Sequence, residues 1–402
     1  MIRRRKPRYY KGEFRDVFSL IFTGQTAKGQ DIALFENKFA EYVGTKFAVS
    51  TCSGRDALSL ILDALKLERG DEVIMPAYTL KDLVDLVIAK GLVPKLVDVE
   101  KKSFNMDPQL ISAHITPKSR VIIATHLFGV PCDMEKITSI AKKYGMAVIE
   151  DCAHALGATI DGKHVGSIGD AAFFSFETIK GINTFGGGMA TTNNESIIKH
   201  IKSALESYPY KSYGILTKIL FSYAEDLLMN SPAYPVLIRF LAGKKTSGII
   251  SRFYLSTRRS ARAKKSRFTN LQAFLGLRQL GDLEYKNKLR NNAADRLIKR
   301  LGDNISFQDI SVQGDRIFYF FVIRLSSYNG AIEDIRRKLV KRGIDSGVKG
   351  EITDNCALYL NLEEEYPVVK GVYESSIQLP LYDDMTDREA TIIADALSEA
   401  LT

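Results

Sequence analysis

Between residues 146 and 189 the chain sets out a row of reactive side chains. Glu150-Asp151 closes an apolar run and His154 follows three residues on. Ser175 closes a second apolar run, Lys180 stands five residues after it, and Gly186, Gly187 and Gly188 make a turn behind the lysine. A lysine can form an imine with an aldehyde. A carboxylate can keep a pyridine nitrogen protonated, so that the ring withdraws electrons, and hydroxyls and backbone amides can hold a phosphate. Together these are the requirements of a pyridoxal 5′-phosphate enzyme. Ser53-Gly54-Arg55-Asp56, between a strand-like run and a helix-like one, is a second phosphate cradle. Singly, each residue has an ordinary reading: Lys180 as a solvated lysine, Asp151 as a turn cap, His154 as a core histidine, Ser175 as a strand residue, the glycines as an empty turn. It is their joint order that points to the chemistry.

The elements that must position these residues alternate. Short apolar runs recur as KFAVS (46–50), EVIM (72–75), PKLVDV (94–99), RVIIATH (120–126), MAVIED (146–151), AAFFSF (171–176) and GMATTN (188–193). Between them, 57–67, 79–91 and 133–145 carry the apolar spacing of helices, the last two closing on glycine. Strands alternating with helices predict an α/β fold with a mainly parallel sheet covered on both faces, whose functional residues gather at strand ends. Residues 213–243 read as two short amphipathic helices broken at Pro232 and Pro235. Residues 268–301 read as long helix with breaks at Gly276 and Gly281. A smaller α+β unit follows, with a strand over 316–325 and helices near 330–342 and 386–401. The divisions are a basic arm over 1–20, a large domain over 21–285 with an insertion at about 205–265, and a small domain over 286–402.

The chain resembles the DegT/DnrJ/EryC1/StrS family of sugar aminotransferases. The likeness is carried by FENKFAEYVGTKFAVSTCSGRDAL (35–58), GDEVIMPAYT (70–79), VDVEKKSFNMDP (97–108), HLFGVPCDM (126–134), VIEDCAHALGA (148–158), VGSIGDAAFFSFETIK (165–180), RFTNLQAFLGLRQL (267–280) and IQLPLYDDMT (377–386). It implies fold type I with pyridoxal 5′-phosphate as cofactor and an active site at a homodimer interface. Lys180 is then similar to the Schiff-base lysine and Asp151 to the partner of the pyridine nitrogen. His154 lies by the 3′-oxygen, Ser175 binds phosphate, and Gly54 and Arg55 lend their amides to it. Some relatives have histidine in place of the lysine and dehydrate their substrate; Lys180 favours transamination.

Four positions depart from the family pattern. Arg55 replaces a threonine, and its guanidinium could add a phosphate contact. Leu80 replaces an aromatic that stacks on the cofactor, a role Tyr78 could take over. Gly186-Gly187-Gly188 lacks the acid of the family's GEGG turn. Lys265, from the partner subunit, replaces an asparagine and could meet the phosphate as a point charge. These changes leave transamination intact and bear on the acceptor. The expected reaction moves an amino group from glutamate, or glutamine, to a keto sugar linked to a nucleotide or lipid phosphate. The alternatives are a non-catalytic membrane-associated or regulatory protein of the same fold, or another pyridoxal phosphate reaction on an amino sugar or amino acid.

The 402 residues carry a net charge of +9, unevenly placed. Residues 1–15 hold seven basic residues and one acid, and 244–267 hold nine and none, so the remainder is net acidic. Two basic patches on an acidic body suit an anionic surface or a phosphorylated substrate, or are merely solvated. No nucleic-acid motif accompanies them, so a nucleic-acid partner is not expected. The stretch from Lys180 to Lys265 exceeds the family's usual length. Its apolar part followed by a cationic part suggests an element at an anionic membrane, or an insertion packed on the dimer partner. The four cysteines lack metal or disulfide spacing, and no metal is expected. Residues 16–23 are too short for a signal-peptide core, and no run of 18 uncharged apolar residues exists. The expected location is cytoplasmic, with attachment to the inner membrane face as one of the open uses of the basic segments.

Overall fold

Each of the seven apolar runs becomes a strand of one sheet. The structure, a computed structural model, describes residues 1–231, 265–301, 305–309, 314–326, 328, 330–362 and 365–401. The strands are β1 (Phe47–Thr51), β2 (Glu72–Pro76), β3 (Val93–Val97), β4 (Ser119–Thr125), β5 (Ala147–Asp151), β6 (Ala171–Ser175) and β7 (Gly188–Thr192). Their order is β1-β7-β6-β5-β4-β2-β3. All pairings are parallel except those of β7, which runs against both neighbours. Both faces are covered because the strands are apolar at odd and even positions alike. Val121 and Ile123 face one core, Ile122 and Ala124 the other. On the first lie α3 (Gly54–Ala64), α4 (Lys81–Ala89) and α6 (Glu195–Glu206); on the second lie α2 (Asp31–Val43), α5 (Met134–Tyr144) and α8 (Asn270–Gly281).

The helix α9 (Leu283–Leu301) leads to a second unit. Its sheet, in the order β8 (Ser306–Phe307), β9 (Phe321–Arg324), β11 (Ser376–Leu379), β10 (Gly347–Val348), is antiparallel. Leu297 of α9, Ile335 and Leu339 of α10 (Ile332–Lys341), and Ile393 and Leu397 of α12 (Asp387–Leu401) form its core; α11 (Pro367–Ser375) packs on the large sheet's first core.

Two expectations are corrected. Within 213–243 the first expected helix is α7 (Ser212–Met229), of 18 residues, which ends ahead of Pro232; residues 232–243 of that reading lie outside the described residues. Gly276 does not break α8, where a Cβ would come within 2.5 Å of Phe35 Cζ: glycine is there for a close approach. The strand expected over 316–325 is only Phe321–Arg324, and the residues before it turn toward the lysine.

The basic arm is also unlike its expectation. Much of its charge is neutralised inside the molecule. Arg4, 1% exposed, donates to Glu351 at 2.6 Å, and Glu351 also accepts from Arg336 at 2.7 Å. Arg8 Nε lies 2.9 Å from Asp383, which accepts from Arg290 as well. Arg8 Nη1 donates to the Gly181 carbonyl at 3.0 Å, directly after Lys180. Burial and the neighbouring Arg290 pull the Arg8 guanidinium down to about 10, with Asp383 opposing them. Arg3 pairs with Asp226 at 2.8 Å and Lys6 with Asp384 at 3.1 Å.

The arm continues into α1 (Glu13–Phe22), which rests on α7 and α8. Its first residue, Glu13, is buried and accepts from Tyr223 Oη at 3.0 Å and from the Tyr10 amide at 3.3 Å. Burial pushes its carboxyl up to about 7. The folded chain therefore keeps this proton up to about pH 7, whereas the unfolded chain releases it near the ordinary carboxylate value. Stability should fall as the pH rises through that window, by on the order of 2 kcal/mol. Thermal unfolding from about pH 5 to pH 8 should show this decline in the wild type and lack it in Glu13→Gln. Parallel profiles for the two proteins would refute the assignment.

Candidate active site

The carboxyl ends of β5 and β6 and the amino end of α3 converge on one place. Asp151 is the last residue of β5 and 6% exposed. Its Oδ1 accepts from the Ala153 amide at 3.0 Å, which fixes its direction. Burial raises the Asp151 carboxyl above its ordinary value, against the pull of that amide and of the positive charge on Lys180. A buried carboxylate in this state gains from a cation brought against it.

Lys180 is 8% exposed. Its amide donates to Glu177 at 2.8 Å, in the tight turn that leaves β6. Its Nζ lies 4.5 Å from the centroid of the Tyr319 ring. Tyr319 in turn stacks on the His154 ring, 4.3 Å away and at 18°. His154 Nδ1 accepts from the Phe128 amide at 3.4 Å, and the Phe128 ring stacks on the His154 ring at 5.8 Å. Arg5 of the arm lies 4.4 Å over Phe320, which stacks on Tyr319 at 4.2 Å. The sequence pattern places Tyr319 and Phe320 in a strand and Arg5 in a basic patch suited to anions. What hid them is that the segment before β9 is apolar enough to pass for its extension; Gly314–Asp315, four residues ahead of Tyr319, is the nearest turn signal.

The phosphate cradle is assembled by close backbone contact. Ser53 caps α3, its Oγ accepting from the Asp56 amide at 3.1 Å. Gly54 and Arg55 are the helix's first residues, whose amides have no acceptor within the helix. A Cβ on Gly54 would stand 3.2 Å from Ser175 Cβ, and one on Gly188 would stand 2.5 Å from the Gly54 nitrogen. So Ser175, Gly54 and the glycine turn meet at one point, with room for backbone only. Gln272, in the capping box of α8, donates to the Gly186 carbonyl at 2.8 Å and holds that turn. The missing acid at Gly186 is accounted for by backbone: φ is +124° there and +104° at Gly187.

The other candidates fall as follows. The Arg55 guanidinium is engaged by Asp82 in the first turn of α4, so the extra phosphate contact expected of it is not the one it makes. Leu80 precedes α4 and is half-buried against the first core. Tyr78 cannot replace it over a cofactor, being buried edge-on between Phe128 and Tyr373. Lys265 is exposed, and Ser266 beside it hydrogen-bonds Cys52, just ahead of the cradle.

His126, Glu150 and Cys152 also cluster, all buried, with ligand-type atoms within 4.8 Å of each other. The nitrogens of His126 and the oxygens of Glu150 are already engaged. His126 Nδ1 accepts from the Cys132 amide at 3.0 Å, which leaves Nε2 to donate to Glu150 at 3.1 Å. Glu150 accepts from the amides of Gly166, Ile168 and Gly169 at 2.7–2.8 Å. Burial alone would raise Glu150, but His126 and these amides outweigh it and leave its carboxyl below the ordinary value. His126 and Glu150 thus form a hydrogen-bonded network behind Asp151 that fixes the loop after β5.

The donor set fits pyridoxal 5′-phosphate. Asp151 would hold the ring nitrogen, Lys180 would meet the aldehyde carbon, and the Ser175 hydroxyl with the Gly54 and Arg55 amides would hold the phosphate. Comparison with known proteins agrees. A profile of the DegT/DnrJ/EryC1/StrS aminotransferase family matches residues 9–398. A dTDP-3-amino-3,6-dideoxy-alpha-D-galactopyranose transaminase of Aneurinibacillus thermoaerophilus is 39% identical over 221 residues, 55% of this chain and 61% of that protein. A GDP-perosamine synthase of Caulobacter vibrioides is 28% identical over 378 residues, 93% of this chain and 91% of that one. Among solved structures, a Streptococcus pneumoniae protein assigned as a sugar aminotransferase, in its PMP form, superposes with a TM-score of 0.78 at 25% identity, covering 99% of this chain and 96% of that one.

Proposed function

Because the chain belongs to the DegT/DnrJ/EryC1/StrS aminotransferase family, whose cofactor is pyridoxal 5′-phosphate, we propose that it transfers an amino group from glutamate to a keto sugar linked to a nucleotide or lipid phosphate. The observation that carries the reading is the convergence of Lys180 and Asp151, both buried, at the strand ends beside the α3 N-terminus. The relatives named above are, by name, a transaminase of a dTDP-sugar and a synthase of a GDP-sugar, which favours a nucleotide-linked acceptor.

The cofactor, when bound, supplies an electron sink for the carbon that loses or gains the amino group. The protein's residues do the rest. Asp151 keeps a proton on the ring nitrogen by charge, and the Ala153 amide keeps Asp151 aimed. Lys180, once free as an amine, moves a proton to and from the substrate carbon, at the short range its turn allows. The α3 N-terminus and Ser175 anchor the phosphate, so the ring cannot rotate away from Lys180. The stacked wall of Tyr319 and His154 closes the side of the site beside the lysine and keeps water from it. In this reading the unit is a homodimer, in which Lys265 of the partner subunit completes the phosphate site.

Donor and chemistry are tested together without knowing the acceptor. Glutamate alone, mixed with holoenzyme, should release about one 2-oxoglutarate per subunit and then stop, as the first half of a ping-pong cycle. Labelled glutamate nitrogen should then pass to a keto-sugar nucleotide. Release of 2-oxoglutaramate from glutamine, with no 2-oxoglutarate from glutamate, would replace the donor. Release from no amino donor would end the aminotransferase reading.

A further inference from the structure

We propose that Arg8 and Asn287 are positioning residues that tie the loop bearing Lys180 to the loop bearing His154, and so hold the lysine at its distance from Asp151. The inference rests on the roles proposed above for Lys180 and Asp151. Strands β5 and β6 are neighbours in the sheet, with Asp151 opposite Phe173. The ladder therefore fixes Asp151 but not Lys180, which stands five residues past the end of β6. The loop after β5 has likewise left the ladder by Leu156. Beyond the ladder, the backbone groups of the two loops need other partners, and these decide how the loops sit.

One pair of side chains spans them. Arg8 Nη1 donates to the Gly181 carbonyl at 3.0 Å and to Asn287 Oδ1 at 3.2 Å. Arg8 Nη2 donates to the same Oδ1 at 3.3 Å. Asn287 Nδ2 donates in turn to the Leu156 carbonyl at 3.0 Å. The bonds thus run from the residue after Lys180 to the second residue after His154. The loops come to this bridge closely. A Cβ on Gly157 would lie 2.5 Å from Asn287 Nδ2, and one on Gly181 would lie 3.7 Å from Arg8 Nη1 and 3.9 Å from Leu156 Cβ. The arm also grips the lysine loop a second time, since Asn183 Nδ2 donates to the Arg8 carbonyl at 3.3 Å. Arg8, Asn183 and Asn287 are all buried, so water does not compete for these bonds.

The bridge needs the forked shape of a guanidinium. Asp383 accepts from Arg8 Nη2 at 3.0 Å and from Arg290 Nε at 2.8 Å, and so neutralises Arg8 from the side of the small unit. A lysine at position 8 could keep that ion pair. As a point charge it could not also reach the Gly181 carbonyl and Asn287. Arg8→Lys therefore separates the bridge from the charge, and Asn287→Ala cuts the bridge at its other end.

The test is the glutamate half-reaction of the holoenzyme, followed with amide hydrogen exchange on the same whole proteins. Each variant should release 2-oxoglutarate about ten- to a hundredfold more slowly at saturating glutamate, the scale of a small misplacement of a reacting group. The glutamate concentration giving half the maximal rate should stay within about twofold, because no donor contact is lost. The double variant should be no slower than the slower single one, since the two residues act as one bridge. Exchange should quicken in both loops, 181–186 and 155–158, in each variant. A wild-type rate in either variant, additive losses, or a raised half-saturating concentration with an unchanged rate would each overturn the proposal. So would exchange that quickens only in the loop whose bond was cut. If the wild type releases no keto acid from any amino donor, the aminotransferase reading falls, and the exchange result alone decides whether the two loops are tied.

Discussion

Replacing Lys180 by alanine lowers transamination by at least about 10³-fold, the scale of losing a positioned acid–base group that is also the nucleophile. The protein stays folded, because Lys180 sits in a turn held by its own backbone and by Arg8 on Gly181. The measurements are single-turnover release of 2-oxoglutarate and the visible absorbance of the bound cofactor, which the alanine variant should lose. Lys180→Arg separates the lysine's roles. It keeps a cation beside Asp151 and over Tyr319, but a guanidinium cannot act as a neutral amine near pH 7. Both variants should fail alike. If Lys180→Arg kept a tenth of the activity, charge rather than amine chemistry would be the lysine's contribution.

Glu351→Gln is expected to cost about 3–5 kcal/mol of stability, the penalty for leaving a buried charge without its partner. Arg4 is 1% exposed and its shortest ion pair is with Glu351. Asp345, at 3.9 Å from Arg4 Nε, is too far to replace it fully. Burial alone would raise the Glu351 carboxyl; Arg4 and Arg336 outweigh burial and hold it below its ordinary value. The sign follows: the wild-type contribution is present above about pH 4.5 and is lost as the pH falls through the depressed value. Denaturant midpoints at neutral pH should differ widely between wild type and variant, and converge in acid. Limited trypsin digestion within residues 3–8 should quicken in the variant. Unchanged stability together with an uncut arm would mean that Arg4 does not rest on this carboxylate.

The large sheet was legible because its strands are buried on both faces and are therefore apolar at odd and even positions alike, as in VIIA (121–124). Asp151 and Lys180 were legible because strand ends and the turn after them are local features. The apolar spacing places the start of α3 at residue 57, whereas the helix starts at Gly54. The glycine and arginine there have poor helix credentials, and only the Ser53 cap signals the earlier start. Tyr319 was not legible as a site residue. Its place beside His154 depends on how a chain segment far away in sequence folds back. The same holds for the arm. Arg4 and Arg8 look like free charge when only their neighbours are read, because Glu351 and Asp383 belong to the acidic remainder of the chain.

That strap also has a bearing on the order of events during synthesis. Arg4 and its carboxylate are 347 residues apart, and Arg8 and Asp383 are 375 apart. On the ribosome both arginines emerge long before their counterparts exist, and must wait in solvent while the large sheet forms. The Gly181 carbonyl is available to Arg8 early, but the acid that neutralises it arrives only with the last part of the chain. Final fastening of the lysine turn is thus deferred until residue 383 has been made, and a nascent chain cut short before it would carry Lys180 without its clasp.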